Sequence, residues 1–152
     1  MISNMIKNIP KTEQTYKKSK PIDHLSSTEA ISLMIKEQKD ASLGVYKAMK
    51  SIEIATDKIY EHLNLNPKGR LIYVGAGTSG RIGVQDGVEL LPTFSWPKSR
   101  LDYIIAGGKA ALLNSIENAE DDILKATKVV LTKSINSEDV IIALAASGNT
   151  PF

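Results

Sequence analysis

The sequence predicts an α/β fold built on an open parallel sheet. Three short apolar runs, at residues 71–74, 101–106 and 140–144, are each followed by a loop that bears Gly or Ser. Helical periodicity fills the stretches between them. Strand, loop, helix, strand is the grammar of a βαβ sheet whose strands are covered on both faces. In such a sheet ligands sit outside the carboxyl ends of the strands.

Whole-chain properties narrow the function classes. A length of 152 residues with 42% hydrophobic content fits one globular domain with a modest core. The 19 Lys and Arg against 17 Asp and Glu give a formal charge of +2, too little to imply a nucleic-acid partner, although a small anion is compatible with it. Cysteine is absent, which excludes disulfides and thiolate metal sites, and the two histidines, His24 and His62, are far apart in sequence. The expectation is a protein without a metal. The N-terminal "MISNMIKNIPK" has no sustained apolar stretch, and no window approaches the ~18 apolar residues of a membrane span, so the chain is expected to be cytoplasmic with no membrane partner.

Residues 1–25 carry Lys7, Lys11, Lys17, Lys18 and Lys20 with Pro10 and Pro21 and show no hydrophobic period; they read as a solvated arm, ahead of a domain spanning 26–152. Ser26, Ser27 and Thr28 offer caps for a first helix with Ile31, Met34 and Ile35 on one face. A second helix is marked by Val45, Ala48, Met49, Ile52, Ala55, Ile59 and Leu63, and Pro67 and Gly69 stop it. His62, near its end, is accounted for by the helix dipole and takes no functional role. After the first strand a helix is expected over about 79–91 with Ile82, Val84 and Val88 as its apolar residues, and another over about 109–132 with a break near Asn118.

The loop after the first strand, "GAGTSGRI" at residues 75–82, admits three readings. A Walker A loop requires a lysine followed by Ser or Thr, and both are missing. The dinucleotide pattern GxGxxG matches at Gly75, Gly77 and Gly80, but the second strand ends "YIIAGGK" without the carboxylate that would hold ribose hydroxyls. The third reading is a phosphate monoester site, since Thr78 and Ser79 stand where the next helix begins and its free N–H groups and dipole favour an anion. A second loop of the same kind, "ALAASGNTP", supplies Ser147, Gly148, Asn149 and Thr150 after the third strand. Ordinary capping explains either loop alone about as well. Two such loops at neighbouring strand ends favour a sugar phosphate.

The ordered segments "GRLIYVGAGTSGRIGVQDGVELLPTF", "IIAGGKAAL", "ENAEDD" and "AASGNTP", with "TEQ" at 12–14 and "LSSTEAI" at 25–31, resemble the N-acetylmuramic acid 6-phosphate etherase family, a branch of the sugar isomerase (SIS) fold. The resemblance runs from about residue 12 to residue 152. It implies a partial SIS-type sheet of about three strands flanked by helices, preceded by an arm and two helices. It also implies cleavage of the D-lactyl ether of a sugar 6-phosphate by elimination and then hydration, giving N-acetylglucosamine 6-phosphate and D-lactate in cell-wall recycling. No metal or organic cofactor is implied, and members tend to form homodimers that can share a site between subunits.

That chemistry requires a base for the proton on C2 of the ring-opened sugar and an acid for the departing oxygen, hence two carboxyl groups in opposite protonation states. By resemblance the acid falls on Glu89 in "DGVELLPTF" and the base on Glu120 in "ENAEDD", with phosphate and sugar contacts from Gly77, Thr78, Ser79, Gly80, Ser147, Gly148, Asn149 and Thr150. Glu89 lies among Val88, Leu90, Leu91 and Pro92, surroundings expected to raise its pKa. Glu120 is less distinctive by itself, and Glu117 and Asp121 are nearly as plausible by spacing. The chain departs from the family in having Lys109 where the family is acidic and Asn149 where it has arginine, which removes a charge-assisted fork from the second loop. Family chains are also longer, so the resemblance predicts a truncated domain; the alternative to an etherase is a noncatalytic sugar-phosphate-binding or regulatory SIS module, or an inactive fragment.

Overall fold

The computed structural model describes residues 20–152, so most of the expected arm, including residues 12–14, lies outside the described residues. The chain divides into two compact units, whose described parts are residues 20–60 and 61–152.

The first unit is a short 3-10 turn, Ile22–His24, followed by most of helix α1, Ser27–Leu65. Ser26 starts α1 with a capping box: its Oγ accepts from the Glu29 N–H at 3.3 Å, and its own N–H donates to Glu29 Oε2 at 2.8 Å. The two helices expected before the sheet are therefore one of 39 residues. Nothing between residues 39 and 45 forces a break: no proline occurs there, Ala41 and Leu43 favour helix, and Gly44 costs only about 1 kcal/mol. Its apolar stripe is not covered, for Ile31, Met34, Ile35, Val45, Met49 and Ile52 are all exposed. Leu63 is the one buried residue of α1, and it belongs to the second unit.

The second unit carries a three-stranded parallel sheet of β1 (Leu71–Gly75), β2 (Leu101–Ile105) and β3 (Val140–Leu144) in the order β2-β1-β3. Leu71 pairs with Leu101 on one side and Val140 on the other, which aligns the three carboxyl ends. Ile72, at 0% exposure, and Ile104, at 2%, form the core of one sheet face. The opposite face bears Tyr73 and Tyr103, whose rings stack with centroids 6.1 Å apart.

Helix α2, Gly77–Val88, lies on the tyrosine face. Its buried residues are Gly80, Gly83 and Gly87, whereas Ile82 and Val88 are about half exposed, so the expected apolar face is replaced by a glycine stripe. The tyrosines cause this. A Cβ on Gly87 would fall 2.7 Å from the Tyr103 ring, and one on Gly83 would fall 3.3 Å from that of Tyr73. The Tyr73 hydroxyl donates to Asp86 Oδ2 at 2.5 Å, and burial, then this bond, hold its pKa well above the ordinary tyrosine value. The single helix expected to Leu91 ends sooner: Glu89 links α2 to α3, Leu90–Phe94, and Ser95 closes α3 with φ +56°.

Between β2 and β3 the expected long helix is reduced to 3-10 turns at Gly108–Leu112 and Ala119–Asp121 and then α4, Ile123–Thr132. The break does fall at Asn118, which has φ +58°. Asp122, rather than a residue near 109, caps α4 by accepting from the Lys125 N–H at 2.9 Å.

Charged side chains fasten the amino ends of the strands. Arg70 forks onto Asp139 at 3.0 and 2.7 Å, its backbone N–H adds a third bond to the same carboxylate, and Lys133 reaches Asp102 at 2.5 Å. The Asp139 side chain is 1% exposed. Arg100 gathers the end of α1, donating to the carbonyls of Leu63, Asn66 and Gly69 at 2.8 to 3.1 Å beneath the Trp96 ring. His62 Nε2–H donates to the Glu138 carbonyl at 3.2 Å, which fixes its tautomer and gives it a structural role.

The Arg70 fork holds the Asp139 carboxyl down at about 2. A lowered carboxylate stabilises the fold fully above its unfolded pKa of about 4, and that contribution disappears as the pH falls from there through the folded value. Acid titration followed by circular dichroism should show wild type losing this stability between about pH 4 and 2, whereas Asp139→Asn should be destabilised by about 1–3 kcal/mol at neutral pH and lack that component.

Candidate functional site

The parallel register brings the three carboxyl ends to one rim, where β1 passes through Ala76 into α2 and β2 and β3 run into irregular segments. After β1, Gly77 turns with φ +51° in open space, so the chain enters α2 abruptly. Gly75 and Gly80 face each other backbone to backbone: a Cβ on Gly80 would lie 2.8 Å from the Gly75 carbonyl oxygen. The glycines thus divide their work. Gly77 supplies the turn, and Gly75 with Gly80 supplies the close approach that brings the α2 amino end over the strand.

Ala76 is the residue before α2, and no side chain caps the helix. The Gly80 N–H is satisfied by the Ala76 carbonyl at 3.1 Å, while the N–H groups of Gly77, Thr78 and Ser79 precede the first intrahelical bond. Thr78 and Ser79 are therefore inside the first turn and do not act as its caps. That arrangement leaves donors and the positive helix end directed at the rim.

A cavity of about 290 Å³ opens at this point. Gly77 and Thr78 line it from the glycine loop, and Glu117 and Glu120 line it from the segment after β2. Of the three carboxylates that spacing left open, Asp121 is outside the lining, and the Glu117 Oε1 accepts from Ser115 Oγ at 3.3 Å. Glu120 is exposed on its 3-10 turn.

Other expected residues stand elsewhere. Ser79 is half-buried and Gly80 buried against the strand, neither lining the cavity. Ser147, Gly148, Asn149 and Thr150 also lie outside the lining, although the chain just beyond them approaches it, the Phe152 N–H donating to the Glu120 carbonyl at 2.9 Å. Gly148 turns with φ +67°, and the Ser147 hydroxyl accepts from the Asn149 N–H at 3.2 Å, a local turn that occupies one of its lone pairs.

Glu89 is exposed at the joint between α2 and α3 and does not line the cavity. Its neighbours Val88 and Leu91 are exposed as well, so the apolar enclosure expected to act on the carboxyl is not formed within this chain. Lys109, expected to alter the site's charge, instead lines a separate cavity of about 380 Å³ with Tyr103, Lys125 and Phe152.

One lining residue escaped the sequence reading. Arg81 sits one turn into α2 and lines the 290 Å³ cavity; its Nε donates to the Ala111 carbonyl at 2.9 Å and its Nη2 to that of Asn114 at 3.0 Å. The available signal was a basic residue directly after "GTSG", on the helix that a phosphate loop begins.

Residues 52–152 match the family described as the glucokinase regulatory protein N-terminal SIS domain. The chain belongs to this SIS family. It is also 41% identical over 141 residues to the N-acetylmuramic acid 6-phosphate etherase of Psychromonas ingrahamii, covering 93% of this chain and 46% of that protein. The etherase of Deinococcus radiodurans is 41% identical over 142 residues, with 93% and 46% covered, and that of Lactobacillus acidophilus is 41% identical over 148, with 97% and 48%. The chain thus spans about half the length of the curated relatives it matches. The three-stranded parallel sheet agrees with a partial SIS fold, and among the described residues no helix is long and apolar enough to cross a membrane.

The SIS glycines should separate by substitution. Gly80→Ala forces backbone atoms apart and should cost about 2–3 kcal/mol, whereas Gly77→Ala has space and carries only left-handed strain of about 1–2 kcal/mol. Chemical denaturation should rank them in that order.

Proposed function

We propose that residues 26–152 act as an SIS-like domain that recognises a sugar 6-phosphate and takes part in etherase chemistry on N-acetylmuramic acid 6-phosphate. One observation carries the reading: the uncapped amino end of α2 and Glu120 open onto one cavity. The relatives' etherase names, at 41% identity, support the same substrate.

In the proposed reaction Glu120 removes the C2 proton of the ring-opened sugar, the electron pair forms the C2–C3 double bond, and the C3–oxygen bond breaks. The departing oxygen takes a proton from Glu89 and leaves as D-lactate. Water then adds at C3, yielding N-acetylglucosamine 6-phosphate. Phosphate charge is met by the first-turn N–H groups of α2 and the Thr78 and Ser79 hydroxyls, with Gly80 bringing that turn close. The second loop, Ser147 to Thr150 with Gly148 at its turn, is assigned sugar contacts; no metal or organic cofactor is invoked.

Because Glu89 is exposed and outside the cavity, the reading assigns it to a homodimer in which the acid of one copy serves the site of the other. The exposed apolar residues of α1 supply surface for self-association. The protein is placed in the cytoplasm, in peptidoglycan recycling.

A second reading, a noncatalytic sugar-phosphate-binding regulatory module, is favoured by the exposure of Glu89 and by the regulatory protein that gives the matched family its name. Two measurements separate the readings. Incubation with N-acetylmuramic acid 6-phosphate should release D-lactate, and Glu120→Gln should lower the rate by about 10²-fold or more. Stabilisation by hexosamine 6-phosphates in a thermal-shift titration without lactate release would leave the binding module, and no response in either assay would leave an inactive fragment.

A further inference from the structure

The segment that carries Glu120 has little structure of its own. From Gly107 to Asp122 it contains two 3-10 turns and three residues with positive φ, Gly107, Gly108 and Asn118. The backbone bonds around Glu120's turn are long, 3.4 Å from Ala119 to Ile116 and 3.4 Å from Asp121 to Asn118. The Phe152 N–H holds the Glu120 carbonyl from outside the segment, but a carboxylate on such a segment also needs an anchor to α2 if it is to meet a substrate held by the glycine loop.

Among the described residues, both side-chain hydrogen bonds that join this segment to α2 come from Arg81. Its planar guanidinium spans the carbonyls of Ala111, within the first 3-10 turn, and Asn114, just beyond it, from a backbone position fixed one turn beyond Thr78. Arg81 forms no ion pair among the described residues, so these two neutral carbonyls are what orient it. A fork with fixed geometry transmits position in a way that a flexible ammonium does not.

We infer that Arg81 is a positioning residue, strapping the 107–122 segment to α2 so that Glu120 stands across the cavity from Thr78. The inference rests on the reading of Glu120 as the base for its kinetic consequence, but the strap itself is a physical claim that stands or falls separately. Loss of the fork frees the segment while leaving the phosphate turn intact, so turnover suffers more than binding.

The experiment compares wild type, Arg81→Lys and Arg81→Ala in the full chain. Hydrogen exchange should show faster exchange in residues 107–122 for both variants, with β1 and β2 amides unchanged; unaltered protection of that segment in Arg81→Ala overturns the strap. With N-acetylmuramic acid 6-phosphate, both variants should lose about 10²-fold in kcat with KM within about threefold of wild type. A rise in KM that Arg81→Lys repairs would instead make Arg81 a phosphate-binding cation and overturn the positioning role. If wild type itself releases no lactate, the etherase reading fails alone, and the exchange data still decide the strap.

Discussion

The backbone contact between Gly75 and Gly80 sets the position of almost everything at the rim. A helix that follows a strand after one residue can turn back over the sheet only if its first turn nearly touches the strand it has just left, and any side chain at either position would prevent that. From this contact the α2 amino end projects beyond β1, Arg81 comes to face the segment after β2, and Gly83 and Gly87 descend onto the two tyrosine rings. The helix is thus held by shape rather than by its own apolar residues. Its bulky side chains, Ile82 and Val88, are left pointing outward.

The other end of the sheet solves a different problem. Parallel strands begin together where charged residues are most easily left half-solvated, and here Arg70, Asp139, Asp102 and Lys133 join the start of β1 to those of β2 and β3. Gly69 belongs to the same end, since a Cβ there would fall 2.1 Å from the Glu138 carbonyl oxygen. Charge fastens the amino ends and close glycine contacts build the carboxyl ends. The proposed phosphate site belongs to the latter, where no side chain caps the first turn of α2.

The parts legible in the sequence are those whose signal is local. Three strands follow from three apolar runs, and the turn at Gly77 and the break at Asn118 follow from residues that tolerate positive φ. Thr78, Glu117 and Glu120 line one cavity, and neither the acidic run "ENAEDD" nor the cavity distinguishes the two glutamates; the assignment of Glu120 comes from the resemblance. What was not legible depends on distant partners. Periodicity assigned Ile82 and Val88 to the buried face of α2, but the tyrosines of β1 and β2 decide that face, and their bulk selects glycine. Periodicity likewise divided α1, although nothing near Gly44 packs against it to make a bend worthwhile. Apolar neighbours around Glu89 suggested an enclosed acid, but neighbours in sequence on a helix junction are not neighbours in a core. The fork of Arg81 is not legible because its partners are backbone carbonyls, so the basic residue after "GTSG" marks the position without revealing what it holds.

The exposed faces bear on what the rim can do. An isolated helix gains little from propensity and depends on packing, yet α1 presents Ile31, Met34, Ile35, Val45, Met49 and Ile52 to solvent along one stripe. Each such side chain contributes on the order of 1.5–3 kcal/mol when fully covered, so six of them make association with another apolar surface far more favourable than leaving the helix bare. On the sheet, Ile141 of β3 is likewise about half exposed while its neighbour in register, Ile72, is wholly buried. The 290 Å³ cavity is lined by two carboxylates, Glu117 and Glu120, both exposed, so the residues lining it do not by themselves exclude water. Under the proposed homodimer, covering these apolar surfaces with a second copy would both limit water and bring in Glu89, which stands outside the cavity, so that assembly and the proposed catalysis would be linked.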